Sequence, residues 1–178
     1  LNILFLTTEN RRLKEVLKTE ASNDSDRVVA KVLIDKESPF LKSVILNKGS
    51  KSNIAKGMPV LSDNYLVGRV VEVNYMTSRV LLLKDLNSRI PVVIQSDGAQ
   101  AILSGDGTKK PSLEYLPESY KATEDVFIFT SGKDGIFYPG IAVGKTLLEK
   151  EKVKVKLFSD PDQLSFVNII LTKEKTDF

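Results

Sequence analysis

The residues of this chain that could do chemistry are serines, lysines and carboxylates, because its 178 residues include no histidine and no cysteine. Histidine is the commonest general base and metal ligand, and a cysteine thiolate is a strong nucleophile. A Ser–Lys pair remains for nucleophilic catalysis, and its candidate is Ser131, with Lys133 or Lys145 as the base. Ser131 precedes Gly132, and both residue types are common in turns for backbone reasons. The sequence therefore favours a turn, and we predict no catalytic residue.

Two polar segments have residue types that can hold an anion or a cation. Residues 105–111, Gly-Asp-Gly-Thr-Lys-Lys-Pro, have the glycines and lysines of a phosphate-binding loop, but they lack the P-loop spacing and no helix follows them. Asp160 and Asp162 could contact a hard cation, yet calcium takes about six to eight oxygen ligands, and Asp-Pro-Asp is common in turns. We therefore expect an inter-strand loop and a turn, with no metal and no cofactor.

Lysines alternate with apolar residues at positions 152–157, in the order Lys-Val-Lys-Val-Lys-Leu. On a strand, Lys152, Lys154 and Lys156 would share one face and the apolar residues the other. That face could contact anionic lipid headgroups or an acidic partner, or it could be a solvated face that discourages edge-to-edge pairing. The solvated face is favoured, because exposed lysines need no partner.

The composition is that of a soluble globular protein, with 42% hydrophobic and 28% charged residues. Lysine and arginine number 26 against 23 acidic residues, so the net charge of +3 is slight, unlike that of a dedicated nucleic-acid-binding protein. No apolar run approaches the roughly 20 residues that span a bilayer. The chain begins at Leu1 inside a helical pattern, so we expect a fragment whose membrane anchor lies upstream.

Residues 1–20 predict a helix with one apolar seam, because they contain no Gly or Pro and special residues recur with spacings of 3 and 4. This heptad pattern favours the end of a coiled coil, and Asn10 at an a position favours two strands. A single amphipathic helix packed on its own domain is the alternative. Residues 21–26 are expected to be a linker. The predicted oligomerisation residues are Ile3, Leu6, Asn10, Leu13 and Leu17.

After residue 26 the pattern changes to short β-branched runs separated by turn residues, as in all-β barrels. Six runs match the other six at an offset near 75; Val67-Gly68, for example, corresponds to Val143-Gly144. Two copies are too few for a solenoid, so the repeat predicts two similar domains that each close their own edges. The predicted strands cover 27–34, 43–49, 57–62, 66–73, 78–85, 90–95, 100–105, 112–117, 125–132, 141–149, 153–160 and 166–173.

The predicted fold is thus mainly β, with two tandem six-stranded small β-barrels, paired as in chymotrypsin-like proteins and preceded by the coiled-coil helix. The first barrel is expected at 27–96, the second at 97–173 and a tail at 174–178, with the joint near 95–99. Tandem barrels can exchange strands, so residues after Val153 could pair back with the first barrel.

Several glycines are predicted to have structural roles. Gly68 and Gly144 lie inside predicted strands, where a missing side chain permits a bulge or a tight corner. Small barrels need such corners, so a role in ligand contact is the less favoured interpretation. The full set is Gly57, Gly68, Gly132, Gly140 and Gly144.

Three stretches of the sequence resemble the MreC family of rod-shape-determining proteins, and together the resemblance covers residues 27–172. They are SVILNKGSKSNIAKGMPV (43–60), KGMPVLSDNYLVGRVVEVNYMTSRVLLLKDLNSRIPVVIQ (56–95) and TSGKDGIFYPGIAVGK (130–145). The family usually has Gly-Asp where Glu124-Asp125 stands, Gly where Tyr65 stands and Pro where Ala142 stands. These departures concern turns.

The resemblance implies a short cytoplasmic tail, one transmembrane helix, a coiled coil and two β-barrels on the periplasmic side of the inner membrane. MreC proteins act in the elongation of rod-shaped cells without known enzymatic activity. They associate with themselves, with MreD, with RodA and with the elongation-specific penicillin-binding transpeptidase. We therefore expect a non-catalytic scaffold, a homodimer or homopolymer, that docks peptidoglycan-synthesis enzymes and meets the membrane only through an anchor missing from this chain.

The surface that would bind the transpeptidase is expected to include exposed aromatic or large apolar side chains, which are enriched at interface hot spots. Tyr65, Tyr75 and Met76, in loops beside the strand that carries Gly68, are the candidate anchors.

Two other functions stay open at this point. Small barrels with a Val-Gly-Arg-Val step, as at 67–70, also occur in nucleic-acid-binding modules, although aromatic residues are only 7% here and are not interleaved with a basic patch. A Ser–Lys hydrolase based on Ser131 is the third possibility.

Overall fold

The structure, a computed structural model, describes residues 3–4, 6–11, 26–33, 42–95, 98–133, 135 and 139–171. Residues 3–4 and 6–11 are helical, and short 3-10 turns lie at Ser50–Ser52 and Pro161–Gln163. The described strands are β1 (Asp26–Leu33), β2 (Ser43–Leu46), β3 (Pro59–Ser62), β4 (Tyr65–Val73), β5 (Ser78–Leu82), β6 (Arg89–Ile94), β7 (Gln100–Ser104), β8 (Ser112–Glu114), β9 (Phe127–Thr130), β10 (Ala142–Glu149), β11 (Lys152–Leu157) and β12 (Phe166–Leu171).

The strands form where the sequence alternates and end where turn residues interrupt the alternation. In β6, the buried Ile90, Val92 and Ile94 alternate with more exposed residues, as expected when one face of a strand lines a barrel interior. Asp63 and Asn64 join β3 to β4 with φ angles of 50° and 69°. Two successive positive φ angles are what a two-residue hairpin turn requires, and Asn and Asp tolerate that region well.

The strands close into two barrels. The one called barrel I consists of β1, β12, β3, β4, β5 and β2, each paired with the next and β2 paired with β1. Barrel II consists of β6, β7, β8, β11, β10 and β9, again closed by pairing of the last strand with the first. Among the described strands, closure leaves no free sheet edge in either barrel. The predicted mainly β architecture of two six-stranded barrels is confirmed.

The two barrels exchange one strand each, in both directions. Strand β12 pairs with β1 and β3, so the end of the chain completes barrel I, an exchange that the sequence left open. Strand β6 pairs with β7 and β9 of barrel II, although its sequence position puts it in the first repeat, which was expected to form the first barrel at 27–96. The barrels therefore cannot be separated by one cut near residue 96, because main-chain hydrogen bonds of β6 and β12 belong to the opposite barrel.

Each barrel has its own apolar core, and one of the two extends between the barrels. The interior of barrel I is filled by residues that include Val60, Val70, Val80 and Ile169, all nearly inaccessible to solvent. The other cluster fills barrel II and also includes residues from strands of barrel I and from the segment just after β5. These residues are Leu61, Leu66, Leu83 and Ile170. Burial of these apolar side chains at the junction stabilises the packing of one barrel on the other.

The helical residues at the start of the described chain expose their apolar side chains. Ile3 and Leu6 are 80% and 61% exposed, and Asn10 is also exposed. Leu13, Leu17, residues 21–25 of the predicted linker and the tail at 174–178 lie outside the described residues. Asp26, the last residue of the predicted linker at 21–26, is the first residue of β1. The coiled coil stays a prediction.

Within the part of the chain that the structure describes, no helix combines the length and the apolar character that crossing a membrane would require.

Candidate functional site

Four aromatic side chains lie together at the junction of the two barrels, and we call them the aromatic cluster: Tyr65, Phe127, Phe129 and Phe158. The ring centroids of Tyr65 and Phe158 are 5.0 Å apart, and those of Phe158 and Phe127 are 5.3 Å apart with the rings nearly perpendicular. Phe129 extends the cluster at 6.4 Å from Phe127. Tilted and edge-to-face geometries at these distances are the ones that aromatic pairs prefer.

The cluster is assembled by contacts between residues distant in sequence. Tyr65, the first residue of β4, pairs in parallel with Ala142 of β10, which is where the two barrels share a strand contact. Strand β9, which carries Phe127 and Phe129, lies antiparallel to β10. Phe158 follows β11 directly, and its backbone N–H donates to the carbonyl of Val143 at 3.1 Å. The next residue, Ser159, fixes this segment to the other barrel by donating its hydroxyl to the carbonyl of Leu66 at 3.0 Å.

The cluster is exposed enough to bind a partner. Tyr65 is 38% exposed and Phe127 is 45% exposed, while Phe129 and Phe158 are half-buried beneath them. Rings already packed against each other lose little conformational freedom on binding, and aromatic side chains are enriched among the residues that dominate interface energies. The arrangement has the chemistry of a protein-docking surface.

The structure does not bring the three predicted anchors together. Tyr65 opens β4, whereas Tyr75 and Met76 follow its other end in the turn to β5. With a rise near 3.3 Å per residue, the two ends of this strand are roughly 25 Å apart. Tyr75 and Met76 are exposed, at 65% and 55%, and together they form a separate small surface.

Ser131 has the surroundings of a turn residue. Its hydroxyl oxygen accepts from the backbone N–H of Lys133 at 3.4 Å, and its own N–H donates to the carbonyl of Pro91. The ammonium group of Lys145 pairs with Asp125 at 3.6 Å. Among the described residues, neither ammonium group contacts the Ser131 hydroxyl, so the local geometry does not assemble a nucleophile and a base.

The two lysines of the loop at residues 105–111 form ion pairs with carboxylates outside the loop. Lys109 pairs with Asp162 at 2.8 Å and Lys110 with Glu149 at 2.7 Å. Hydrogen bonding from Lys109 lowers the pKa of Asp162, and hydrogen bonding from Lys110 lowers the pKa of Glu149. Because both lysines already face an acidic partner, this loop does not resemble a phosphate cradle.

Asp106 anchors the same loop to the lysine strand. Its carboxylate accepts from the ammonium of Lys154 at 2.6 Å and from the backbone N–H and hydroxyl of Thr108. Burial raises the pKa of Asp106, but these hydrogen bonds together outweigh burial and hold the pKa below its ordinary value. Of the three alternating lysines, Lys154 is thus a half-buried structural residue, while Lys152 and Lys156 are exposed.

Asp160 and Asp162 also have local partners. The Asp160 carboxylate accepts from the backbone N–H of Asp162, which begins the 3-10 turn at Pro161–Gln163. No group of three or more acidic residues placed to hold a metal ion is found in the described portion of the chain.

The glycines inside strands lie against neighbouring backbone. A Cβ atom at Gly68 would lie 2.0 Å from the carbonyl oxygen of Leu81, and one at Gly144 would lie 2.4 Å from that of Lys156. The other three predicted glycines have positive φ angles, of 91°, 74° and 87° at Gly57, Gly132 and Gly140. Gly105 was not among the predicted glycines, yet a Cβ there would be 1.9 Å from the carbonyl oxygen of Asp85.

Three members of the aromatic cluster were also missed. Phe127, Phe129 and Phe158 read in the sequence as apolar strand residues, and only the contact between β4 and β10 puts them beside Tyr65. The alternation of residues in β9 could have identified Phe127, because it lies on the face opposite the buried Ile128 and Thr130.

The similarity to known proteins covers the part of the chain that forms the two barrels. Residues 32–171 match the family model described as rod shape-determining protein MreC, barrel core. The cell shape-determining protein MreC of Caulobacter vibrioides is 37% identical over 172 residues, which are 96% of this chain and 50% of that protein. The chain thus spans about half the length of the relative that it matches.

Solved structures show the same fold. MreC from Pseudomonas aeruginosa has a TM-score of 0.73 and 26% sequence identity, covering 81% of this chain and 98% of that one. MreC of Helicobacter pylori, solved as a complex with penicillin-binding protein PBP2, has a TM-score of 0.63 and 16% identity, covering 82% of this chain and 98% of that one.

Proposed function

Because this chain belongs to the MreC family of cell shape-determining proteins, we propose that it is a non-catalytic scaffold of bacterial cell elongation. In this role it docks a peptidoglycan-synthesising penicillin-binding transpeptidase on the periplasmic side of the inner membrane. A membrane anchor upstream of Leu1, and association with RodA and MreD, belong to the same proposal and rest on the family resemblance. The family match gives no support to the nucleic-acid-binding alternative or to a hydrolase.

The observation that carries the docking proposal is the aromatic cluster. It offers exposed, mutually packed rings where β4 of barrel I pairs with β10 of barrel II, so a partner bound there contacts both barrels. A homologous MreC in complex with PBP2 supports a transpeptidase as the partner. Burying rings of this kind in an interface contributes about 2 kcal/mol or more per anchor.

The proposal is tested by measuring the affinity of this chain for the periplasmic part of the elongation transpeptidase from the same organism. We expect Phe158→Ala and Tyr65→Ala to weaken binding by about tenfold or more, since each removes a ring that supports its neighbour. Leu148→Ala, which truncates an exposed residue outside the cluster, is the matched control and should leave the affinity unchanged.

Circular dichroism of each variant separates lost contact from lost folding. If folded Phe158→Ala and Tyr65→Ala proteins bound the transpeptidase as tightly as the unsubstituted chain, the aromatic cluster would not be the docking surface.

Self-association is the second part of the proposed function. Ile3 and Leu6 expose apolar side chains on one helix, and the spacing of Ile3, Leu6 and Asn10 fits a heptad seam. Two such helices can cover each other's seams, which supports a parallel pair of chains held by residues 1–20.

A further inference from the structure

A groove of about 480 Å³ lies on the outer surface of barrel I, on the far side of its strands from the core. It is formed by β2, β4 and β5, which lie next to one another in the barrel. Its lining combines an apolar part, Val71 and Leu81, with two arginines, Arg69 and Arg79. The groove is separate from the aromatic cluster and plays no part in the proposed docking of the transpeptidase.

The guanidinium groups of the two arginines differ in their hydrogen-bond and ion-pair partners. Arg79 donates to the Glu72 carboxylate at 3.4 Å and to the Ser43 hydroxyl at 3.0 Å, so its guanidinium is held at the side of the groove. Arg69 is half-buried, and its guanidinium makes no hydrogen bond or ion pair with any residue that the structure describes. An arginine charge that no described carboxylate pairs with is available to an anionic group of another molecule.

Strand β4 has a β-bulge beside the groove. Val70 pairs with Val80, but the next pair joins Glu72 to Arg79, so Val71 is an extra residue in β4. Such a bulge bends the strand and re-aims the neighbouring side chains, and bulges are common beside binding sites. Here it places Val71 in the groove between Arg69 and Glu72.

We propose that this groove binds an extended acidic segment of a partner protein, with Arg69 pairing with an aspartate or glutamate carboxylate. The planar guanidinium matches a carboxylate through two parallel hydrogen bonds, which would satisfy the donors of Arg69. Val71 and Leu81 provide apolar contact for the side chains that flank the carboxylate. Glu72 at the side of the groove repels every anion, but it repels a carboxylate, which has a single negative charge, less than a doubly charged phosphate.

The lining suits an extended segment of chain. Arg79 and Leu81 lie two positions apart on β5, so they share one face of the strand and lie about 7 Å apart. Side chains on one face of an extended segment have the same spacing, so alternate residues of a bound segment can contact successive lining residues.

The test is an NMR titration of the full 178-residue chain with two acetylated, amidated pentapeptides. One alternates glutamate with valine, and the other has glutamine in place of each glutamate. We expect the glutamate peptide to shift the Arg69 Nε–H signal and the amide signals of Val71 and Leu81, with an affinity at least tenfold above that of the glutamine peptide.

Three variants separate the explanations. Arg69→Gln should abolish the difference between the peptides, whereas Arg89→Gln, which removes an exposed arginine on barrel II, should preserve it. Glu72→Gln should tighten binding of the glutamate peptide several-fold, because it removes a negative charge beside the bound carboxylate. Equal binding of the two peptides, retention of binding in Arg69→Gln, or weaker binding in Glu72→Gln would each overturn the proposal.

Discussion

Asp85 and Asp160 lie 75 positions apart and make the same hydrogen bond. The carboxylate of each accepts from the backbone N–H two residues further along, that of Asn87 at 2.7 Å and that of Asp162 at 3.0 Å. The carbonyl of each also accepts from the N–H three residues on. These two turns directly precede β6 and β12, so each repeat uses the same local structure to direct its last strand into the other barrel.

The two turns should differ in how much they stabilise the fold. Asp85 is 2% exposed and also accepts from the backbone N–H of Lys42, whereas Asp160 is exposed. We expect Asp85→Ala to lower the free energy of unfolding by about 2–3 kcal/mol, since it removes two hydrogen bonds to a buried carboxylate that joins separate segments of the chain. Asp160→Ala should cost about 0.5–1 kcal/mol. Urea denaturation followed by circular dichroism checks the order of the two costs. Equal costs would contradict the difference expected from burial.

Gly68 should not tolerate a methyl group. Alanine there would put its Cβ 2.0 Å from the carbonyl oxygen of Leu81, so β4 and β5 would have to separate. We expect a loss of about 3 kcal/mol or more in the free energy of unfolding. Gly98→Ala is the control: its positive φ is unfavourable for alanine, but nothing lies within 4 Å of the added Cβ, so about 1 kcal/mol is expected. A Gly68→Ala protein as stable as this control would refute the close approach.

The ion pair of Asp106 and Lys154 makes stability depend on pH in the acid range. The pKa of Asp106 lies below its ordinary value of 3.8, so the pair stabilises the fold above that pH, and the contribution is lost as the pH falls through the folded-state pKa. Asp106→Asn should lower the free energy of unfolding by about 1–2 kcal/mol at pH 7. The difference from the unsubstituted chain should vanish at strongly acidic pH.

Thermal denaturation between pH 2 and pH 7 measures this difference, with the exposed Glu118→Gln as a control that should change little at any pH. A constant difference across the range would show that Asp106 acts through packing and not through its charge.

The strand exchange predicts that neither sequence repeat folds alone. A chain of residues 26–96 lacks β12, which closes barrel I between β1 and β3, and its own β6 has no partner. We expect this fragment and the fragment 97–178 to give poorly dispersed amide spectra separately, and a native-like spectrum after mixing in equal amounts. A cooperatively folded 26–96 fragment would be incompatible with exchange of β6 and β12.

The seam of the N-terminal helix predicts a dimer that depends on two residues. Ile3→Ser combined with Leu6→Ser should shift the chain from dimer to monomer in light scattering, because it removes the exposed apolar contacts of the seam. Thr7→Ser, on the same helix, should leave the mass unchanged. A chain that is monomeric at every concentration before substitution would argue against assembly through this helix.

The strands could be predicted from the sequence, but their neighbours could not. Alternation in Ile90, Val92 and Ile94 marks β6 as a barrel strand, since one of its faces must be buried. Both barrels offer a lining of the same kind, so the pattern contains no information on which barrel the strand enters. That choice depends on the turn at Asp85 and on contacts between residues far apart in sequence.

The candidate sites were predictable to a smaller extent. Tyr65 was predicted as an anchor because aromatic residues in loops are candidates for interface hot spots. Phe158 stands where the first repeat has the buried Leu83, and nothing local distinguishes the two. Arg69 belongs to the basic step after Gly68, yet its lack of a partner is visible only once β2, β4 and β5 are side by side.

The reciprocal exchange of β6 and β12 has a consequence for how such a fold could arise. A chain with a single repeat that kept this strand arrangement would close its barrel by exchanging sixth strands with a second copy, which is a domain-swapped homodimer. The present chain is the covalent form of that dimer, with both swapped strands in one polypeptide. Gene fusion would then have made assembly of the barrel pair independent of protein concentration and freed the two halves to diverge, one toward Arg69 and the other toward Phe127 and Phe158.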